Sequence, residues 1–337
     1  MKIVNWNIEW MNRWFSGNAS PVWGSSSLNA AAAREAAGRA ARVIAALEPD
    51  LLTLQEGPSA MAEMQLFLDL MTDQTGLSFE VLMGLDGGAQ KLYALRRIGG
   101  RCESMDRATD VETQALQEGW PADVNGDLLL ETYDFTRLPL VIDVDPAAGQ
   151  PLRVVVLHTK SKHVHNGEAI FRNPATRQQF IADAMLARRR ISAEAFRLRG
   201  YLDALLMEDG DARVLVTGDF NDGPGRDFFE RSYLTHNVTD ILLGSTFYPA
   251  LIFQHGFLAR VETPALFTAR FDDFVDDVAD RPLLLDHVVV SPGLVSHVLD
   301  GGIAHEAFEA EIEGDGEPRQ KRPSDHRPIW VEIGAPL

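Results

Sequence analysis

The chain opens with KIVNWNI, in which apolar and polar positions alternate, and this period of two predicts a strand. Residues 10–28 break the pattern with Gly17, Pro21 and Gly24 among Trp10, Trp14, Phe15 and Trp23, and read as an aromatic-rich loop. Asn29 is placed to cap a helix running to about Leu47, stopped by Pro49-Asp50. LLTLQE follows as a short buried strand, residues 58–74 as a helix, and SFEVLMG and KLYALRR as strands. Residues 105–127 are polar and irregular. LLLETYDF, LPLVIDV and LRVVVLHT read as strands, the last two joined into a hairpin by the turn DPAAG. Apolar residues at 180, 184, 187, 191, 195, 198, 202 and 205 keep the three-four spacing of one long amphipathic helix. ARVLVTGDFND, PLLLDHVVVS and PIWVEI complete the set of strands.

Strands and helices alternate without an internal repeat, a low-complexity linker or a domain boundary. That pattern predicts a single α/β domain over 1–337, with two packed sheets and helices outside. The 337 residues are 45% hydrophobic and 24% charged, an ordinary globular composition. Cys102 is the only cysteine, which excludes an intrachain disulfide and a zinc–cysteine cluster. MKIVNWNIEWMN turns polar too early for a signal peptide, and no apolar run of about 18 residues predicts a membrane span. The expected compartment is therefore the cytoplasm, with no stable membrane insertion.

Charge changes this picture in one respect. The net charge of −18 argues against a protein that coats nucleic acid by charge alone. Residues 153–200 nevertheless carry ten basic side chains against three acids, a local +7 beside a body of −25. Two readings stand: a solvated helix face, or a surface that attracts phosphate.

The chemistry-bearing residues recur where buried strands end: Asn7, Glu56, His158 and Asp219 with Asn221; Asp286 sits inside LLLDHVVV, and Asp325-His326 precede the last strand. Strand ends converge on a sheet's rim, where ligands bind. Carboxylates and amides gathered there suit a hard divalent cation such as Mg²⁺, and the histidines suit proton transfer. No Walker or GxGxxG loop follows a strand, which counts against a nucleotide switch or a dehydrogenase.

The stretches NWN (5–7), LQE (54–56), TRLPL (136–140), LHTKS (157–161), GDFN (218–221), LDHVVVS (285–291) and SDHRPI (324–329), taken in this order, resemble the endonuclease/exonuclease/phosphatase superfamily. That superfamily includes DNase I, AP endonucleases, sphingomyelinases and inositol polyphosphate phosphatases. The resemblance implies a DNase I-like four-layer α/β sandwich, two mixed sheets flanked by helices, and cleavage of a phosphate ester with Mg²⁺, for which Mn²⁺ can substitute. It implies metal-binding roles for Glu56, Asn7 and Asp325, and catalytic roles for His158, Asp219, Asn221, Asp286 and His326. It further implies contacts from Arg137, Asn7 and Asn221 to substrate phosphate, and Lys160 and Lys162 stand beside His158 as further phosphate contacts. His158 is shared with DNase I-like and sphingomyelinase-like members, and the Tyr-x-Pro-Asn stretch of AP endonucleases is missing. The expectation is a phosphodiesterase using direct water attack, foremost a nuclease acting on nucleic acid, with no obligate protein partner. The alternatives are a phospholipid phosphodiesterase, a small-molecule phosphatase and a non-catalytic binding protein on the same fold.

Three further features attract attention: the aromatics of 10–23, the five aspartates of FDDFVDDVAD (271–280), and His163 with His165. Core cover, a solvated acidic loop and surface histidines are the respective plain readings. Residues 243–271, with Phe247, Tyr248, Leu251, Ile252, Phe253 and Phe257, fit an apolar loop of the kind a lipid enzyme would use.

Overall fold

The computed structural model describes residues 1–85, 88–234, 237–244, 247–312 and 321–334. Twelve strands build its two main sheets. They are β1 (Lys2–Asn7), β2 (Leu51–Gly57), β3 (Phe79–Met83), β4 (Lys91–Arg97), β5 (Cys102–Arg107), β6 (Leu140–Pro146), β7 (Leu152–His158), β8 (Val214–Asp219), β9 (Gln254–His255), β10 (Asp286–Val290), β11 (Val298–Ile303) and β12 (Ile329–Ile333). The first sheet has the order β11-β12-β1-β2-β4-β3, the second β9-β10-β8-β7-β6-β5. Both are mixed: β1 runs parallel to β2 and β7 parallel to β8, and the pairs flanking them are antiparallel.

Side-chain alternation explains the layers. In β1, Ile3 faces the second sheet, whereas Val4 and Trp6 face helices α1 (Ala30–Leu47) and α2 (Met61–Thr75). In β7, Val154 and Val156 join the core between the sheets, and Val155 and Leu157 pack under the long helix α3 (Arg177–Glu208) through Ile191, Leu198 and Leu202. Strands buried on both faces read as nearly continuous apolar runs, as these do. The result is a four-layer α/β sandwich: helices, sheet, sheet, helix. Asn29 caps α1 by accepting the Ala32 N–H at 3.0 Å.

The chain departs from its hydrophobic pattern at two places. PLLLDHVVVS is two strands, because Leu283 ends a hairpin and Asp286 begins β10. Thr268 Oγ1 accepts the N–H groups of Leu285 and Asp286 at 3.0 and 3.2 Å, filling the break between them. LLLETYDF is a strand only over Glu131–Tyr133. Asp123 accepts N–H bonds from Gly126 and Leu128, and this local turn leaves Leu128, Leu129 and Leu130 exposed. The irregular stretch 105–127 also holds the end of β5, which pairs with β6, and a helical turn over Val111–Ala115. Among the described residues no helix is long and apolar enough to cross a membrane.

Candidate active site

Register brings the polar residues together. Asp219 lies opposite His158 across the parallel β7/β8 pair and opposite Asp286 across the antiparallel β8/β10 pair. Two strands therefore end, and a third begins, at one rim. Asn7, at the end of β1 in the other sheet, spans the seam by donating Nδ2–H to Asp219 Oδ2 at 2.8 Å. The C-terminal segment is tied to the same rim. Ser324 Oγ donates to the Asn7 carbonyl at 2.6 Å, and Trp6 Nε1–H donates to the His326 carbonyl at 2.8 Å.

Backbone strain aims two of these side chains. The β2/β4 pairing slips between Leu54 and Gly57, and in that bulge Glu56 takes a left-handed conformation with φ 58°. Asn221 does the same at φ 50°, held by its N–H to Asp219 Oδ1 at 2.8 Å. Left-handed backbone is costly for residues other than glycine, and here it sits beside the candidate chemistry.

His326 Nδ1 lies 2.7 Å from Asp286 Oδ2, and its Nε2 is 4.0 Å from Asp219 Oδ2 and 3.8 Å from Asp325 Oδ1. His158 Nε2 is 3.6 Å from Asp219 Oδ2 and 3.9 Å from Glu56 Oε1. All lie in buried or nearly buried positions. Burial raises the Asp219 carboxyl to about 7, helped by the Asp286 charge and opposed by His326. Burial also works against a charged His326, but the carboxylates of Asp286, Asp219 and Asp325 outweigh it and hold the imidazole well above its ordinary pKa. His158 has no such compensation: burial, then Arg137 and His326, push it well below the ordinary value, which favours the uncharged imidazole.

The donor set fits a hard divalent cation. Ligand-type atoms of Asp219, Asp286 and His326 fall within 4.8 Å of one another. The short Asp286–His326 contact makes that trio an oriented histidine beside a carboxylate. Glu56 offers the freer oxygen: Oε2 accepts from Trp10 N–H at 2.9 Å and Gln90 Nε2–H at 2.7 Å, whereas Oε1 has Asn7 Nδ2 at 3.4 Å. Asp286 Oδ1 is buried without a hydrogen-bond partner. Four carboxylates at one partly buried rim, with oxygen donors dominating, suit Mg²⁺ or Mn²⁺.

The remaining candidates are placed differently. Asn7 Oδ1 accepts the Glu9 N–H at 3.1 Å, so its amide turns nitrogen, not oxygen, toward the carboxylates. In this orientation Asn7 offers a hydrogen bond and no metal-binding oxygen. Arg137 donates to Gln90 Oε1 at 2.5 Å and to the Thr159 carbonyl at 3.2 Å. Lys160 bonds the Ser161 carbonyl through Nζ at 3.1 Å, and its N–H donates to Glu194 at 3.0 Å. Lys162 is not a phosphate contact: its ammonium sits among Asp222 at 2.5 Å, Glu230 at 2.7 Å and Asp227 at 3.4 Å. Gln90 and the Trp10 N–H escape a sequence reading, because neither belongs to a motif and both reach Glu56 only through the fold.

The basic stretch is largely consumed within the molecule. Arg153 pairs with Asp110 and Asp143, Arg172 with Glu168, Arg188 with Asp227 and Arg199 with Asp203. These side chains are thus taken up by contacts within the molecule, and Arg188 and Arg199 are buried rather than part of a solvated face. In the 10–23 loop, Trp14 and Phe15 are buried, Trp14 against Phe67, and Trp10 is partly exposed. The 271–280 aspartates fall in a hairpin, where Asp273 and Asp276 each lie 2.6 Å from Arg281. His163 and His165 are exposed. Of the 243–271 segment, whose residues 245 and 246 lie outside the described residues, Phe253 and Phe257 are buried, and Phe247 and Tyr248 are exposed.

Comparison with known proteins agrees with this fold. No curated protein matches the chain. A solved endonuclease/exonuclease/phosphatase from Bacteroides vulgatus superposes with a TM-score of 0.52 at 13% identity, over 99% of this chain and 98% of that one. The 3′–5′ exonuclease NExo of Neisseria meningitidis superposes at 0.51 and 17% identity, over 99% of both chains. Truncated TDP2 of Caenorhabditis elegans superposes at 0.50 and 14% identity, over 99% of this chain and 97% of that one. At such identities the likeness supports the fold. The family model described as Endonuclease/Exonuclease/phosphatase family matches residues 4–326, and the chain accordingly belongs to that family of metal-dependent phosphoester hydrolases.

Proposed function

We propose that the protein, acting as one domain, is a Mg²⁺-dependent phosphodiesterase that cleaves nucleic acid by direct attack of water on phosphorus. The observation that carries the reading is the meeting of Glu56 and Asn7 from one sheet with His158, Asp219 and the Asp286–His326 pair from the other. Glu56 and Asp325 are the proposed metal carboxylates; the bound cation supplies charge neutralisation at the phosphate and the departing oxygen. Asp286 fixes the His326 ring, and His326 with Asp219 places the attacking water, whose proton passes to Asp219. Asn7, Asn221 and neutral His158 donate hydrogen bonds to phosphoryl oxygens as negative charge develops on them. Nucleic acid is favoured as the substrate because NExo, a 3′–5′ exonuclease by description, shares the fold. A lipid phosphodiester is the second reading, supported by exposed Phe247 and Tyr248.

The test is a panel of supercoiled DNA, single-stranded DNA, RNA, bis-p-nitrophenyl phosphate and sphingomyelin vesicles, each with Mg²⁺, with Mn²⁺ and with EDTA. The expected result is metal-dependent cleavage of DNA or RNA that falls at least about 10³-fold in Glu56→Ala and in His326→Ala. Cleavage confined to sphingomyelin would transfer the same chemistry to lipid. Full activity in Glu56→Ala would overturn the scheme.

A further inference from the structure

The structure treats the two oxygens of Glu56 unequally. Oε2 accepts two hydrogen bonds, from Trp10 N–H and Gln90 Nε2–H, and Oε1 faces the rim. Gln90 is committed at both ends, since its Oε1 accepts Arg137 Nη2–H at 2.5 Å. Arg137 in turn donates Nη1–H to the Thr159 carbonyl, which also accepts Asn221 Nδ2–H at 3.2 Å. A continuous run of hydrogen bonds therefore joins Glu56, Gln90, Arg137, Thr159 and Asn221 across the seam between the sheets.

Gln90 has one workable orientation in this run. Reversing the amide would set its oxygen against a carboxylate and its NH₂ against a guanidinium. It is only 8% exposed, so water is a poor substitute for either partner. Arg137 thus chooses the orientation of Gln90, and Gln90 chooses which Glu56 oxygen stays free. We infer that Gln90, braced by Arg137, is a positioning residue that presents Glu56 Oε1 to the divalent cation. The inference rests on the proposed role of Glu56 as a metal ligand. It also gives Arg137 a task besides, or in place of, touching substrate phosphate.

The test measures Mn²⁺ affinity directly, from the electron paramagnetic resonance of free Mn²⁺, in wild type, Gln90→Met, Glu56→Gln and the double variant. Melting followed by circular dichroism checks each fold, and the smaller Gln90→Ala serves where the Met variant does not fold. Partners that orient metal ligands are worth about 10–100-fold in affinity. Gln90→Met is expected to weaken Mn²⁺ binding about tenfold or more, to lower activity at limiting Mn²⁺, and to recover to within about threefold of the wild-type kcat at saturating Mn²⁺. In the Glu56→Gln background the same change is expected to add nothing, because it acts through Glu56. Affinity in Gln90→Met within about twofold of wild type, with Glu56→Gln weakened, would overturn the relay and leave the metal role of Glu56 standing. An equal loss in both backgrounds would likewise overturn it. Unchanged affinity in Glu56→Gln would remove the metal role itself, and the inference with it.

Discussion

Asp50 is fully buried and survives as a charge because four N–H donors reach it. Oδ1 accepts from Arg101 N–H and Arg97 Nη2–H, both at 2.9 Å, and Oδ2 from Lys2 N–H at 2.8 Å and Arg101 Nε–H at 3.0 Å. Burial alone would raise its pKa; the donors reverse that and pull it from 3.8 to about 2. The folded value lies below the unfolded one. The contribution is therefore complete above about pH 4 and is lost as pH falls toward 2. It amounts to about 2 kcal/mol, of which roughly half is gone by pH 3. Urea unfolding of wild type and Asp50→Asn should show a deficit of about that size at pH 7 that narrows below pH 4. A deficit that stays constant down to pH 3 would show that the carboxylate charge is not its source. The Asp50 network is invisible in PDLL, as the Gln90 network is in AQKL, since each partner comes from a distant segment. The metal and histidine candidates were legible because their types recur at strand ends in a family order. Lys162 shows the opposite error: its charge is plain in the sequence, but the three carboxylates folded around it are not.

At the level of elements, the rim depends on how closely β7 and β8 approach. Gly218 has φ 150°, and a Cβ there would sit 1.8 Å from the Leu157 carbonyl oxygen. The atom it meets is backbone, so it cannot yield without moving the strand that ends in His158 or the one that ends in Asp219. Gly218→Ala should therefore cost about 3 kcal/mol or more and lower kcat more than KM, because it displaces candidate catalytic groups. Thermal melting and steady-state kinetics would check both parts; a variant with wild-type stability would mean the strands separate freely. The glycine of GDFN thus has a steric reason that the bare motif does not state. The buried strands and the long amphipathic helix α3 could be read from periodicity, because each buries a continuous apolar set. The break before Asp286 could not, since Leu283–Leu285 and Val288–Val290 flank Asp286-His287 as one run and the interruption is made by Thr268 from another segment.

Across the whole molecule, the charge distribution sets how a polyanion would be met. The net charge is −18, and the positive stretch is spent internally. Arg153, Lys162, Arg172, Arg188 and Arg199 face carboxylates. Arg177, Arg189 and Arg197 bond backbone carbonyls, and Arg190 lies over Tyr133. A protein that neutralises 6–10 phosphates loses about 10³–10⁵ in affinity between 50 and 200 mM salt, because it gives back the counterions it released. On the nuclease reading proposed above, few cations are left to place along a strand, and nucleic acid should be held chiefly at the scissile phosphate. For a single-stranded oligonucleotide at fixed, saturating Mg²⁺, kcat/KM is therefore expected to fall less than about tenfold between 50 and 200 mM KCl. Shortening the oligonucleotide to a few nucleotides should not lower it, because a lengthening strand adds repulsion from the acidic body more than attraction. A loss of about 10³-fold over the same salt range would reveal a cationic track along which the strand is bound, and would return the basic stretch to a role in substrate capture.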